Sequence, residues 1–174
     1  LNQLLKQGAK GLVFDVREDG GGLVAALEKI VDPLLPAGDI ATATYQDGTT
    51  KVLVHSDANE LNLPMMVLVN GNTASAAELF TASLKDFGKA EVIGEQTFGK
   101  GIMQNTFELP DGGAVTLTVA TYQTTKGECY HGVGITPDVI MEEDYEKVDF
   151  DHPNAEQDAQ LKQAMELLQS KISS

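Results

Sequence analysis

A serine at the entrance to a run of small residues, Ser75 in Thr73-Ala74-Ser75-Ala76-Ala77-Glu78, is followed 25 residues later by Lys100 between two glycines and then by Gln104. Serine is a weak nucleophile while it keeps its proton, so it reacts only beside a group that removes it. A desolvated, uncharged lysine can do this as histidine does elsewhere, and the chemistry of such a pair is attack on a carbonyl carbon. The three histidines, His55, His131 and His152, lie in no obvious nucleophile context.

Each of these residues has a plainer reading. Ser75-x-x-Glu78 is also a capping box, and from those letters alone capping is the simpler account. The two readings share a geometry, because the free N–H groups at a helix start can also stabilise negative charge in a transition state. Gly94-Glu95-Gln96-Thr97-Phe98-Gly99-Lys100 matches most of a phosphate-binding loop, but Gly101 stands where serine or threonine is needed. Strand-like letters, Ile102 to Leu109, then follow where a helix should start. Phe98 and Ile102 give Lys100 an apolar setting instead, of the kind that favours an uncharged amine. Asp19-Gly20-Gly21-Gly22 reads as a flexible turn whose missing Cβ atoms would let a backbone N–H approach a ligand. Asp15, Glu18 and Asp19 lack a His or Cys nearby and read as solvated carboxylates, with no metal site expected. Cys129 has His131 two residues away, a spacing that shares a strand face without bringing ring and sulfur together.

The elements that must position these side chains can be read from periodicity. A strand over Gly11 to Val16 leads through the glycine loop into a helix from Leu23 to Val31, which Asp32-Pro33 stops. Ile40 to Tyr45 and Lys51 to His55 form a hairpin about Gln46-Asp47-Gly48. Met65 to Val69 is a short, wholly apolar strand expected to be buried on both faces. The helix Ser75 to Asp86 carries Ala76, Leu79, Phe80 and Leu84 on one stripe and stops at Gly88. A strand at Glu91 to Gly94, a second hairpin of Ile102 to Leu109 and Ala114 to Tyr122, and a helix over Ala155 to Lys171 complete an α/β pattern.

With 174 residues and 42% hydrophobic content the chain can bury one sizeable core. Its formal charge of −14 disfavours nucleic acid as a partner, since phosphates would be repelled. From Asp138 to Asp158 nine acids face one lysine, which reads as a solvated surface. One cysteine excludes an internal disulfide. No apolar run reaches a membrane span and no signal-peptide pattern opens the chain, whose amphipathic start suggests that an upstream part is missing.

Four blocks in order resemble the C-terminal processing peptidases, or tail-specific proteases, of serine peptidase family S41. They are Gly11-Leu12-Val13-Phe14-Asp15-Val16-Arg17 leading to Gly21-Gly22-Leu23, Val67-Leu68-Val69-Asn70 leading to Ala74-Ser75-Ala76-Ala77-Glu78, Gly94 to Gly101 with Gln104, and Gly134-Ile135-Thr136-Pro137-Asp138. The resemblance implies a ClpP/crotonase-like core of strand-strand-helix units, truncated at its N-terminus, over residues 1–150, with residues 151–174 forming an acidic segment and a helix packed on it. It further implies Ser75 as nucleophile, Lys100 as general base, Gln104 orienting the lysine, and an oxyanion hole from the amides of Ala76 and Gly21. No cofactor or metal is implied. The substrate would be a polypeptide cut near its C-terminal tail, an upstream PDZ domain is expected, a homo-oligomer is compatible, and the site of action would be extracytoplasmic.

Asp86 matches an aspartate sometimes added to the centre, yet eleven residues of helix, about 16 Å, separate it from Ser75. It is therefore expected to end the helix or to hold a neighbour. The chain departs from the usual Arg-Asn-Asn-Pro-Gly-Gly at Arg17-Glu18-Asp19-Gly20-Gly21-Gly22, which bears on the rigidity of the oxyanion loop. The retinoid-binding protein of the retina shares the fold as a carrier, so a non-catalytic binding module is the alternative; retention of Ser75, Lys100 and Gln104 together favours the enzyme. An acyl-CoA enzyme of the crotonase type has only fold analogy behind it.

Overall fold

The computed structural model describes residues 1–57 and 60–173, so the last residue of the C-terminal segment, Ser174, lies outside the described residues. A five-residue helix α1 (Asn2–Lys6) precedes strand β1 (Leu12–Asp15) and helix α2 (Val24–Val31). Strands β2 (Gly38–Tyr45) and β3 (Thr50–Ser56) form the first hairpin. They are followed by β4 (Met65–Val69), helix α3 (Ala76–Asp86) and β5 (Ala90–Gly94). The second hairpin, β6 (Ile102–Glu108) and β7 (Ala114–Thr124), leads to a short β8 (Val139–Ile140) and the final helix α4 (Ala159–Ser173).

Two four-stranded sheets result. One is parallel, in the order β1-β4-β5-β8, and the other is antiparallel, in the order β3-β2-β7-β6. Every residue of β4 is buried. The pleat sends Met65, Val67 and Val69 into the main core with Leu79 and Leu84 of α3, and Met66 and Leu68 to the opposite face beneath Ala164 and Leu168 of α4. A continuous apolar run with no alternation is what a strand covered on both sides requires. Helix α3 is enclosed too, with Ala76 to Leu84 all buried, so truncating Leu79 to alanine would cost about 2–5 kcal/mol.

Most element ends fall within a residue or two of the sequence expectation, and two features depart further. Helix α4 starts at Ala159 rather than Ala155, because Asp158 Oδ1 accepts the amide proton of Leu161 at 2.7 Å and so caps the first turn. Strand β8 was not expected, since two residues flanked by acids carry no periodic signal. Among the described residues no helix is long and apolar enough to cross a membrane.

Candidate active site

Ser75 stands where β4 has ended and α3 begins, with φ +59° and ψ −120°. L-residues seldom occupy this region and hold it only when their surroundings impose it. The surroundings here are specific. Asn70 accepts the amide protons of Glu18 and Asn72, both at 3.1 Å. Thr73 Oγ1 donates to the Val16 carbonyl at 2.8 Å, and the Ala74 amide donates to the Asp19 carbonyl at 2.9 Å. The serine turn and the glycine loop after β1 are thereby sewn together.

This sewing answers the question of rigidity raised by the Glu18-Asp19-Gly20 substitution. Glu18 adopts φ +59°, and its carboxylate accepts from Asn70 Nδ2 at 2.6 Å and Asn72 Nδ2 at 2.9 Å. Asp15 bonds the Arg17 guanidinium at 2.5 and 2.9 Å. These carboxylates are exposed, as expected, and also hydrogen-bonded to protein partners, and no metal-holding cluster occurs among the described residues. Gly21, at φ +93°, closes the loop against the serine: a Cβ there would lie 2.6 Å from the Ala74 carbonyl, 2.7 Å from the Ala76 nitrogen and 2.9 Å from Ser75 Cβ. Its own N–H donates to Asp19 Oδ1 at 2.8 Å. The Ala76 N–H, at the first position of α3, has no hydrogen-bond partner among the described residues. A helix-terminal amide with no partner is suited to receive an anion.

Lys100 is half-buried, and its loop is tied to the serine by one side chain. Glu78, fully buried, accepts from Thr97 Oγ1 at 2.6 Å and the Gly99 amide at 2.7 Å on Oε1. On Oε2 it accepts from the amides of Ser75 at 2.9 Å and Lys100 at 2.8 Å. Thr97 in turn accepts the Ile135 amide at 2.7 Å, which explains why the Gly134-Ile135-Thr136-Pro137 block accompanies the lysine loop. His131 Nδ1 lies 3.2 Å from the Gly99 carbonyl, against the same loop, while Cys129 is exposed.

The side chains themselves are arranged differently from the simplest dyad. Ser75 Oγ lies 3.3 Å from the Tyr122 hydroxyl, and among the described residues no hydrogen bond joins it to Lys100 Nζ. The apolar burial expected around Lys100 is incomplete, because Phe98 turns outward and is 65% exposed. Gln104 is exposed at an irregular step of β6 and makes no hydrogen bond to Lys100 among the described residues. Asp86 accepts from Thr124 Oγ1 at 2.5 Å at the far end of α3, tying that helix to β7.

Sequence reasoning treated Glu78 only as half of a capping box and passed over Tyr122 altogether. The capping spacing was a usable signal for Glu78; nothing in the letters around Tyr122 marks it. Beside the serine turn an apolar cavity of about 290 Å³ opens between α2 and α3, lined by Phe14, Leu23, Leu27, Ile30, Ala76 and Phe80.

Comparison with known proteins places the chain in a family. A model of "Peptidase family S41" matches residues 1–141. The chain is 37% identical over 97% of its length to a carboxyl-terminal-processing protease of Synechocystis, of which it covers 39%. It is 38% identical over 86% of its length to a carboxy-terminal processing protease of Bacillus subtilis, of which it covers 33%. The solved photosystem II D1 C-terminal processing protease superposes with a TM-score of 0.74 at 39% identity, over 80% of this chain and 36% of that one. The chain thus spans well under half the length of the relatives it matches. From the serine turn, the glycine loop, the lysine loop and these matches together, the chain belongs to peptidase family S41.

Proposed function

We propose that this chain is the catalytic part of a serine endopeptidase that cuts polypeptides near their C-terminal tails. Ser75 attacks the scissile carbonyl, Lys100 takes its proton and returns it to the leaving amine, and Gln104 orients the lysine. The Ala76 amide holds the oxyanion, joined by the Gly21 amide once it exchanges Asp19 for the substrate oxygen. The observation that carries this reading is the strained serine at a helix start whose amide shares an acceptor with that of Lys100. A catalytic centre needs its nucleophile and base loops fixed together; a surface cap does not.

The cavity beside Ala76 supports an apolar side chain on the substrate next to the cut. The names of the relatives support tail-directed cleavage, and one of them, a chloroplastic peptidase, works in an organelle; a substrate-binding PDZ domain elsewhere in the protein, action outside the cytoplasm and a homo-oligomer rest on the family resemblance.

Hydrolysis of an unstructured protein is the test. Ser75→Ala and Lys100→Ala should each abolish turnover with unchanged melting curves, and unaltered hydrolysis by either variant would remove the assignment. A second reading, a carrier that binds peptides without cutting them, draws on the hydrogen bond that Ser75 makes to Tyr122 instead of Lys100. Wild-type protein that binds tail peptides and leaves them whole would favour it.

A further inference from the structure

Through its hydroxyl, Tyr122 bridges the side chain of Ser75 and the main-chain carbonyl of Lys100. It is 3% exposed on β7, and its hydroxyl donates to the Lys100 carbonyl at 2.8 Å while standing 3.3 Å from Ser75 Oγ. Tyr130 packs edge-on against its ring, with centroids 6.1 Å apart.

A phenol has one proton to give. With that proton committed to the Lys100 carbonyl, the phenolic oxygen accepts the proton of Ser75. Burial raises the Tyr122 pKa above its ordinary value; the bond from Ser75 works against this and the charge of Glu78 adds to it. A phenol that stays protonated at neutral pH cannot be the base, so the serine proton still needs Lys100. Its own O–H, however, is a donor within reach of the oxygen that is about to lose that proton.

We infer that Tyr122 is a further catalytic residue of the proposed serine centre, holding Ser75 Oγ at rest and turning its O–H from the Lys100 carbonyl to that oxygen as the oxygen is deprotonated. In the step, the Ser75 O–H bond breaks and its proton passes to the lone pair of Lys100 Nζ. The Oγ–carbon bond forms, and the carbonyl electron pair moves onto the oxygen held by the Ala76 amide. The phenolic proton stays on Tyr122 throughout and only changes acceptor. This rests on the Ser75/Lys100 reading of the previous subsection.

The experiment is the rate of phosphonylation of Ser75 by a fluorophosphonate, fluoride leaving, followed against pH in the intact protein for wild type, Tyr122→Phe and Ser75→Ala. Tyr122→Phe keeps the ring and its packing. Labelling should slow roughly 10- to 100-fold, the worth of one hydrogen bond to a developing charge. The midpoint of the pH profile should stay in place, because the base is unchanged. On a peptide substrate the loss should fall on kcat with KM little changed. Equal labelling of wild type and Tyr122→Phe, or loss of the folded state in Tyr122→Phe, would overturn the role of Tyr122 while leaving the nucleophile intact. Wild-type protein that is not labelled at Ser75 would instead overturn the serine-nucleophile reading and this role with it.

Discussion

Ser75 and Lys100 share one hydrogen-bond acceptor: their main-chain amides converge on Oε2 of Glu78 at 2.9 and 2.8 Å. The proposed nucleophile and base belong to loops 25 residues apart, and a single buried carboxylate ties those loops together. Bonds to a buried charge are among the stronger hydrogen bonds in proteins, and a lost acceptor leaves its donors stranded.

Glu78→Gln should therefore be costly. An amide offers one acceptor oxygen and turns two N–H groups toward donors that have nowhere to go. We expect about 3 kcal/mol of lost stability, a fall in Tm of roughly 6–12 °C, and turnover reduced further than the unfolded fraction explains. Thermal melts beside hydrolysis rates check this; a variant that melts and turns over as wild type does would refute it.

Gly21→Ala places a methyl group within 2.9 Å of three atoms of the serine turn, at a φ of +93° that alanine adopts with strain. The loop must move away from Ala76, so turnover should fall by about 10²- to 10³-fold, the loss typical of one oxyanion donor. Gly20→Ala, where a methyl meets open space, serves as the control and should retain most activity.

Substrate preference should follow the cavity between α2 and α3. Ala26 lines it, and Ala26→Phe would reduce the space for a large residue beside the cut. Peptides with leucine or phenylalanine there should lose roughly 10- to 200-fold in kcat/KM relative to those with alanine, the range that apolar pockets deliver. Parallel losses for all three peptides would place the side chain elsewhere.

Acid should loosen the C-terminal helix first. Asp158, 2% exposed, bonds the buried Arg17 guanidinium at 2.6 and 3.1 Å across 141 residues of sequence. Burial by itself works to raise the Asp158 carboxyl, but Arg17 and the Leu161 amide outweigh it and hold it below its ordinary value. A carboxylate depressed in the folded state adds stability that is fully present above its unfolded pKa of about 3.9 and is lost as pH falls through the folded value. Urea melts should show wild-type stability falling below about pH 5, and Asp158→Asn should be less stable at pH 7 with a flatter profile in that window. Parallel profiles would contradict the linkage.

Asp86 should prove structural. It lies at the end of α3 opposite Ser75 and accepts from Thr124 on β7. Asp86→Asn should lower stability by about 1 kcal/mol and leave kcat unchanged; a large loss of kcat at unchanged stability would bring it into the chemistry.

The sequence by itself determined the elements and the family. The unbroken apolar letters of Met65 to Val69 require a strand covered on both faces, the small residues about Ser75 leave room for a substrate chain, and the strand-like letters from Ile102 to Leu109 leave no helix after Lys100. Each of these follows from properties a residue carries with it: size, polarity, and the backbone angles it tolerates. Tertiary structure alone decided which groups meet. The buried partnership of Arg17 with Asp158 lay hidden in an acidic stretch that reads as solvated, and Phe98 turned outward where its letter suggested burial. Glu78 became the joint between two loops, and Tyr122 came to lie against Ser75. Such relationships depend on where distant segments cross once the core has closed, and a hydrogen bond between residues 47 apart leaves no periodicity in the chain for a reader to find.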